Sequence, residues 1–270
     1  MTVVVPTRNS ERTLHACLAS LRHQEYPCNI VVVDNSSTDG TQAIALRDAD
    51  ICAIQGPERA AQRNAGARLT DSPILGFIDS DMVVASKVVG EAAAALKAGA
   101  GAVIVPEFSF GCGFWAKVRA FERSFYRGSD SIEAARFYRR DMFELTGGFD
   151  EGIEPGPEDW DLTVRVRMLG RVARVDAEIG HDEGCPGYLD VCRKKGYYGP
   201  GYLTYARKHG AGSLSALNRP YVRAPWRAFA QGPLLGAGLI ALKGGEAFAV
   251  VASAFRSEAR RQCARIGAVH

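Results

Sequence analysis

No two of the seven cysteines (Cys17, Cys28, Cys52, Cys112, Cys185, Cys192 and Cys263) stand in a C-x-x-C pair, which excludes the usual spacing of a structural zinc site. Their number is odd and the chain is long for a disulfide framework, so reduced thiols of a cytoplasmic protein are expected. There is no Walker loop and no G-x-S-x-G elbow, which removes P-loop nucleotide hydrolysis and serine-hydrolase chemistry. Gly111-Cys112-Gly113-Phe114-Trp115-Ala116 fits G-x-G-x-x-A in form only. A dinucleotide fingerprint opens the first crossover, and there the chain has Pro6-Thr7-Arg8-Asn9. Charge is nearly balanced: 33 Lys and Arg against 30 Asp and Glu give +3, too little to mark a nucleic-acid binder. The most apolar stretch, from about Ala228 to Phe255, is broken by Lys243, Glu246 and several glycines. Its charge-free part ends at Leu242, short of the roughly 20 residues of a membrane span, so a pair of short apolar helices is expected. A strand starting near Met1, with Pro6, Arg8 and Glu11 close behind, leaves no room for a signal peptide. Internal repeats and low-complexity segments are absent as well.

With 47% hydrophobic residues over 270 positions, the chain can bury a full core. Its first half alternates two periodicities. Thr2 to Val5, Ile30 to Val33, Ile51 to Ile54 and Pro73 to Ile78 read as strands, the first two as continuous β-branched runs covered on both faces. Between them lie helices: one capped by Ser10 with Leu14, Cys17, Leu18 and Leu21 inward, one from Thr41, and one opened by Pro57 and running to Leu69. Strands alternating with helices predict a doubly wound, mostly parallel sheet. Further on, helices are expected over Ser86 to Lys97, Phe114 to Tyr126 and Glu158 to Leu169. Strands are expected at Ala102 to Val105, Ala134 to Tyr138, Val172 to Val175 and Ala177 to Ile179.

Ligands of such sheets bind beyond the carboxyl ends of the strands. Polar clusters follow three of the predicted strands: Pro6 to Asn9, Asp34 to Asp39, and Asp79 to Asp81. They therefore converge on one rim. In Asp79-Ser80-Asp81 the two carboxylates repel each other unless a cation neutralises them, and hard oxygen ligands suit Mg²⁺ or Mn²⁺ bridging to a diphosphate. The bland alternative is a turn that caps the helix near Ser86. Glu158, Asp159 and Asp161 likewise suit a helix start, where the dipole favours negative charge.

Six stretches occur together in a familiar order: Val3-Val4-Val5-Pro6-Thr7-Arg8-Asn9, Val31 to Thr41, Ala61-Gln62-Arg63-Asn64-Ala65-Gly66, Phe77-Ile78-Asp79-Ser80-Asp81, Gly147-Gly148-Phe149-Asp150-Glu151 and Glu158-Asp159-Trp160-Asp161-Leu162. In these the chain resembles a family-2 glycosyltransferase of the GT-A fold. The resemblance implies a GT-A-type, Rossmann-like, mostly parallel central sheet flanked by helices over residues 1–185. Residues 1–100 would bind the nucleotide sugar and 101–185 the acceptor, with a helical extension over 186–270. It implies that Pro6, Thr7, Arg8, Asn9 and Asp34 face the nucleotide, Arg63 the base or diphosphate, and Asp79 and Ser80 the donor. Asp39 could equally hold its own turn. Asp81, with His181, would bind Mn²⁺ or Mg²⁺, and Asp159 would be the catalytic base of an inverting transfer from a UDP-sugar. Gly148, Asp150, Glu158 and Trp160 would line the donor-sugar or acceptor pocket, although Trp160 also suits a core. Arg59 and Arg68 read as solvated charges on the same helix as Arg63, and Arg165 and Arg167 as surface charges.

Beyond residue 185 the resemblance assigns no roles. Arg193-Lys194-Lys195, Arg207-Lys208, Arg219, Arg223 and Arg227 are interleaved with Tyr and Trp ahead of apolar helices. That pattern suits contact with the inner face of a membrane, to reach a lipid-linked acceptor, or equally a helical lid. Two other functions remain in view. A sugar nucleotidyltransferase would carry a Gly-rich loop after the first strand, and none is present. A non-catalytic nucleotide-sugar-binding protein of the same fold would not need Asp159.

Overall fold

Val3-Val4-Val5 and Ile30-Val31-Val32-Val33 are wholly buried, because helices cover both faces of the sheet they build. The computed structural model describes residues 1–130, 132–153, 156–210, 213 and 225–267. Its strands are β1 (Thr2–Thr7), β2 (Asn29–Asp34), β3 (Ile51–Ile54), β4 (Ile74–Phe77), β5 (Met82–Val84), β6 (Ala102–Ile104), β7 (Glu107–Phe110), β8 (Ala135–Arg139), β9 (Val172–Arg174) and β10 (Ile179–Asp182). The main sheet runs β3-β2-β1-β4-β8-β6-β9. Every neighbouring pair in it is parallel except those made by β8, which is antiparallel to β4 and β6.

Helices α1 (Leu14–Arg22), α2 (Thr41–Asp48) and α4 (Val88–Lys97) close one face over Val3, Val5, Ile30 and Val32. On the other face, α3 (Arg59–Arg68), α6 (Arg140–Leu145) and α7 (Glu158–Leu169) pack on Val4, Val31, Val33 and Phe77. Gly66 lets α3 lie directly on β1, since a Cβ there would collide with Val4. Two helix starts differ from expectation. The side chain of Ser10 turns away to Ser80, and α1 begins only at Leu14; α3 begins at Arg59 rather than at Pro57.

Of the second sheet, β5-β10-β7, only β10 has a counterpart in the sequence, the strand expected at Ala177 to Ile179, which overlaps it at Ile179. The strands of this sheet are three or four residues long and partly exposed, so they carry too little hydrophobic alternation to announce themselves. The antiparallel pairing of His181 with Met82 sets His181 beside the acidic triplet.

The chain forms two compact units: residues 1–110, 126–151 and 158–183, and residues 111–125, 152–157 and 184–270. A division at 185 would leave the segment 111–125 with the first unit; it groups with the second. This second unit holds α5 (Gly113–Ser124), α8 (Tyr188–Tyr197), α9 (Gly199–His209), α10 (Pro225–Gln231) and α11 (Pro233–Gly267). Arg219, Arg223 and Pro155 lie outside the described residues.

Two expectations are corrected here. Cys112 and Cys185 form a disulfide, with Cα atoms 4.8 Å apart, whereas all seven cysteines were expected to be reduced. Parallel β7 and β10 pair Phe110 with Asp182, so the segments that leave them carry the two cysteines side by side, a proximity that spacing along the chain cannot reveal. The second correction concerns the apolar tail, which is the short α10 followed by one long helix, α11, rather than two short ones. Its stretch Pro233–Arg256 is long and apolar enough to cross a membrane, with a mean hydropathy of 1.6. The interrupting glycines are contact points: a Cβ at Gly238 would meet Phe114 and Val118, and one at Gly245 would meet Tyr188 and Cys192. Close packing thus offsets the cost of about 1 kcal/mol that each helical glycine carries relative to alanine.

Candidate active site

The carboxyl ends of β1, β2 and β4 deliver three loops to one rim, and hydrogen bonds stitch the loops together. In the first loop, Pro6 and Thr7 are buried while Arg8 and Asn9 are exposed. Asn9 takes up a left-handed backbone (φ 49), a conformation asparagine tolerates well. Its side-chain Oδ1 accepts from Thr38 N at 2.9 Å, and its own N–H donates to Ser37 Oγ at 2.8 Å. Ser10 Oγ meets Ser80 Oγ at 2.8 Å, tying the first loop to the acidic triplet.

Asp34, expected to face the nucleotide, is held from within the protein. It is 0% exposed, with one carboxylate oxygen bonded to Ser37 Oγ and the other accepting from Ser37 N and Gln42 Nε2, both at 2.8 Å. Buried carboxylates need such partners, and here the local turn supplies all of them. Asp39 holds its own turn, accepting from Thr41 N at 3.1 Å and from Thr41 Oγ1 at 2.5 Å.

Three consecutive residues of α3 organise the rest of the rim. Gln62 donates to Thr7 O at 2.9 Å and Val33 O at 2.6 Å, locking the ends of β1 and β2. Asn64 donates to Phe149 O and Glu151 Oε1 and accepts from Phe149 N, so it fixes the Gly147-Gly148-Phe149-Asp150 turn. Gly148 sits at φ 71 with Asn64 Oδ1 only 2.8 Å from where a Cβ would stand, which demands glycine. Between these two, Arg63 is 1% exposed, with Nη2 on Asp79 Oδ1 at 2.5 Å and Nη1 on Glu158 Oε1 at 3.0 Å.

Arg136, on β8, is the residue the sequence reading missed. Its Nη1 lies 3.3 Å from Asp79 Oδ2, and its Nη2 and Nε bond Glu107 Oε1 at 2.6 and 2.8 Å. An arginine between Ala135 and Phe137 in an otherwise apolar strand was the available signal, since a charge there must find a buried partner. Burial alone would raise the pKa of Asp79. Arg63, Arg136 and Arg59 outweigh it and hold the carboxyl well below the usual range.

Asp81 faces His181, with Oδ2 and Nε2 3.2 Å apart. The other ring nitrogen, Nδ1, is buried without a hydrogen-bond partner. Among the described residues no three His, Cys, Asp or Glu side chains gather as a metal cluster. One carboxylate and one imidazole nevertheless fit a hard divalent ion, because such ions commonly draw their other ligands from substrate phosphates and water.

Asp159 stands in the first turn of α7, half-buried, with Oδ1 accepting from Trp160 N at 2.8 Å. Burial, and next the neighbouring Glu158, push its pKa up; Arg136, Arg63 and Arg59 counter this without cancelling it. Glu158 is 2% exposed and is held by Arg63 and by Arg59 at 3.4 Å. Arg59 is accordingly not a purely solvated charge. Trp160 donates from Nε1 to Ile132 O at 2.8 Å, and Asp150 is half-buried at the end of the glycine turn. Arg165 is no surface charge either: it bonds Asp161, Thr146 O and Gly148 O, bracing that turn from behind.

Several known proteins resemble this chain. Residues 2–149 match the model of the family described as glycosyl transferase family 2. An N-acetylglucosaminyltransferase of Azorhizobium caulinodans is 37% identical over 109 residues, 36% of this chain and 27% of that protein. A validoxylamine A glucosyltransferase of Streptomyces hygroscopicus subsp. limoneus is 31% identical over 105 residues, 35% of this chain and 23% of its own length. The matches thus span about a quarter of these curated relatives. Among solved structures, a mannosyltransferase of Pyrobaculum calidifontis in complex with GDP-Man and Mn²⁺ superposes with a TM-score of 0.60 at 20% identity, covering 94% of this chain and 86% of that one. TarS of S. aureus (residues 1–349) in complex with UDP-GlcNAc gives 0.53 at 17% identity, over 97% and 91%. These likenesses identify the fold as that of GT-A glycosyltransferases, with a helical C-terminal region. By the family match over more than half its length, the chain belongs to glycosyl transferase family 2.

Proposed function

We propose that the chain is an inverting glycosyltransferase that moves a sugar from a nucleoside diphosphate, UDP by preference, to an acceptor hydroxyl. The observation that carries this reading is the geometry of the rim: Asp79 is gripped by Arg63 and Arg136, Asp81 faces His181, and Asp159 opens α7 with no guanidinium bonded to it. Burial and Glu158 push the pKa of Asp159 up, while the arginines hold that of Asp79 down. Carboxylates pushed apart in this way take separate parts in proton chemistry. Asp159 is the base, accepting the proton of the acceptor hydroxyl as its oxygen attacks the anomeric carbon. A single displacement inverts that carbon. Asp81 and His181 would hold Mn²⁺ or Mg²⁺, which when bound neutralises charge on the departing diphosphate. Arg8, Asn9 and Ser80 frame the nucleotide, with Pro6 and Thr7 as the floor of the loop. Asp79, kept ionised by Arg63 and Arg136, presents an acceptor for the ribose hydroxyls. The glycine turn at Gly148 and Asp150, with Trp160, borders the sugar.

UDP is favoured by the TarS complexes with UDP-GlcNAc and with UDP, against the GDP-Man of the mannosyltransferase. The test is turnover of a nucleotide-sugar panel with Mn²⁺ by wild type and Asp159→Asn. A kcat lower by about 10²- to 10⁴-fold, with nucleotide affinity retained, is expected of a lost base. Equal turnover by the variant removes Asp159 from the chemistry. Nucleotide binding without turnover by wild type favours a non-catalytic binding protein.

A further inference from the structure

Helix α11 has its polarity reversed. Its two mid-helix charges point inward: Glu246 is 4% exposed, and Lys243 Nζ bonds Glu246 Oε2 at 2.5 Å and Glu122 Oε1 of α5 at 2.7 Å. Arg119 of α5 completes the cluster, 3.2 Å from Glu122 Oε2 and 3.8 Å from Glu246 Oε1. The outward face is apolar throughout. Leu234 is 72% exposed, Ile240 49%, Phe248 77%, Val251 52% and Phe255 73%, and the exposed positions between them are alanines and Gly244. From Leu234 to Phe255 this stripe runs about 32 Å at 1.5 Å per residue. Only 28% of the apolar window is buried, so α11 is not the core helix of its unit. Trp226 (65%) and Phe229 (40%) of α10, just before it, are exposed too.

A helix that hides its ions and shows its hydrocarbon is poorly suited to water and well suited to an apolar boundary. Charge selects which boundary. Residues 186–270 contain thirteen Lys and Arg against three Asp and Glu, a net +10, while the whole chain carries only +3. Two copies of so basic a segment repel each other, whereas an anionic lipid surface attracts it. We propose that this face of α11, extended by Trp226 and Phe229, docks the chain in the plane of an anionic membrane. The acyl boundary meets the stripe, and the basic surplus in the sequence of residues 186–270 draws the chain to anionic headgroups. The helix lies on the bilayer rather than crossing it. Crossing would surround it with lipid, strip Lys243 and Glu246 of Glu122 and Arg119, and unseat Gly238 and Gly245 from Phe114 and Tyr188.

This inference does not rest on glycosyl transfer, and its test reads binding rather than turnover. Purified chain is floated with vesicles of phosphatidylcholine alone or mixed with phosphatidylglycerol, for wild type and for a triple variant Phe248→Gln, Val251→Gln, Phe255→Gln. Wild type is expected to float with the anionic vesicles, to be released by alkaline carbonate, and to lose at least about ten-fold in bound fraction in the variant. As a check on the unaltered face, brominated phosphatidylcholine in the anionic vesicles should quench wild-type tryptophan fluorescence, and less so in Trp226→Phe. The proposal is overturned by wild type that stays unbound, by a folded variant that floats equally, or by binding that resists carbonate, which marks a span. It is also overturned by a wild-type dimer, seen by light scattering, that the variant abolishes while neither floats.

Discussion

Asp159 and Asp79 share the field of Arg63, Arg136 and Arg59, yet only Asp79 has a guanidinium hydrogen-bonded to it. Asp159 keeps the penalty of burial and of Glu158 beside it, and two measurements follow from that. As a base it must be ionised, so kcat/KM falls as pH drops through its pKa, and the acid limb lies above the ordinary aspartate value of 3.8. Stability runs the other way. The folded state holds the Asp159 proton more tightly than the unfolded chain, so this group's contribution declines as pH rises from 3.8 through the raised pKa. Asp159→Asn is therefore expected to raise Tm at neutral pH while lowering kcat, which a melting curve checks; a lower Tm contradicts the raised pKa. These residues were only partly legible. Asp79, Asp81 and Asp159 stand in local motifs, whereas Arg136 reaches Asp79 from 57 residues away, and only strand order brings it there. Asp34 was legible as a motif position but not as a buried carboxylate, because its partners Ser37 and Gln42 belong to its own turn.

At the scale of elements, α3 holds the rim: Gln62 joins β1 to β2, Arg63 carries Asp79 and Glu158, and Asn64 carries the glycine turn. Arg63→Met leaves two carboxylates short of their cation, and urea unfolding should show a loss of about 3–5 kcal/mol. Gly148→Ala adds a Cβ at positive φ against Asn64. It should cost about 1–3 kcal/mol and, by shifting Asp150, raise the KM for donor more than does Gly99→Ala, at a positive-φ glycine between α4 and β6 with open space around it. The continuous apolar runs of β1 and β2, and α7 with its acidic first turn, were readable from the sequence. The strands β5 and β7 were not, since neither is more than four residues long and neither makes a complete hydrophobic face. Helix α11 was misread in the opposite sense: its glycines mark packing against α5 and α8, and a single sequence does not distinguish a packing glycine from a breaking one.

For the whole molecule, charge divides along the chain. Residues 1–185 carry 20 Lys and Arg against 27 Asp and Glu, so the basic surplus belongs to the segment that follows. The acidic part includes the rim, where Asp81 stands 3.2 Å from His181 and two residues from the carboxylate of Asp79. The most direct test is calorimetric titration of UDP, GDP and dTDP into wild type and Asp81→Ala, with Mn²⁺ and with EDTA. One nucleotide should bind wild type only when Mn²⁺ is present, and at least about ten-fold more weakly to Asp81→Ala. Equal affinity in EDTA, or in Asp81→Ala, would contradict a metal–diphosphate site at Asp81 and His181.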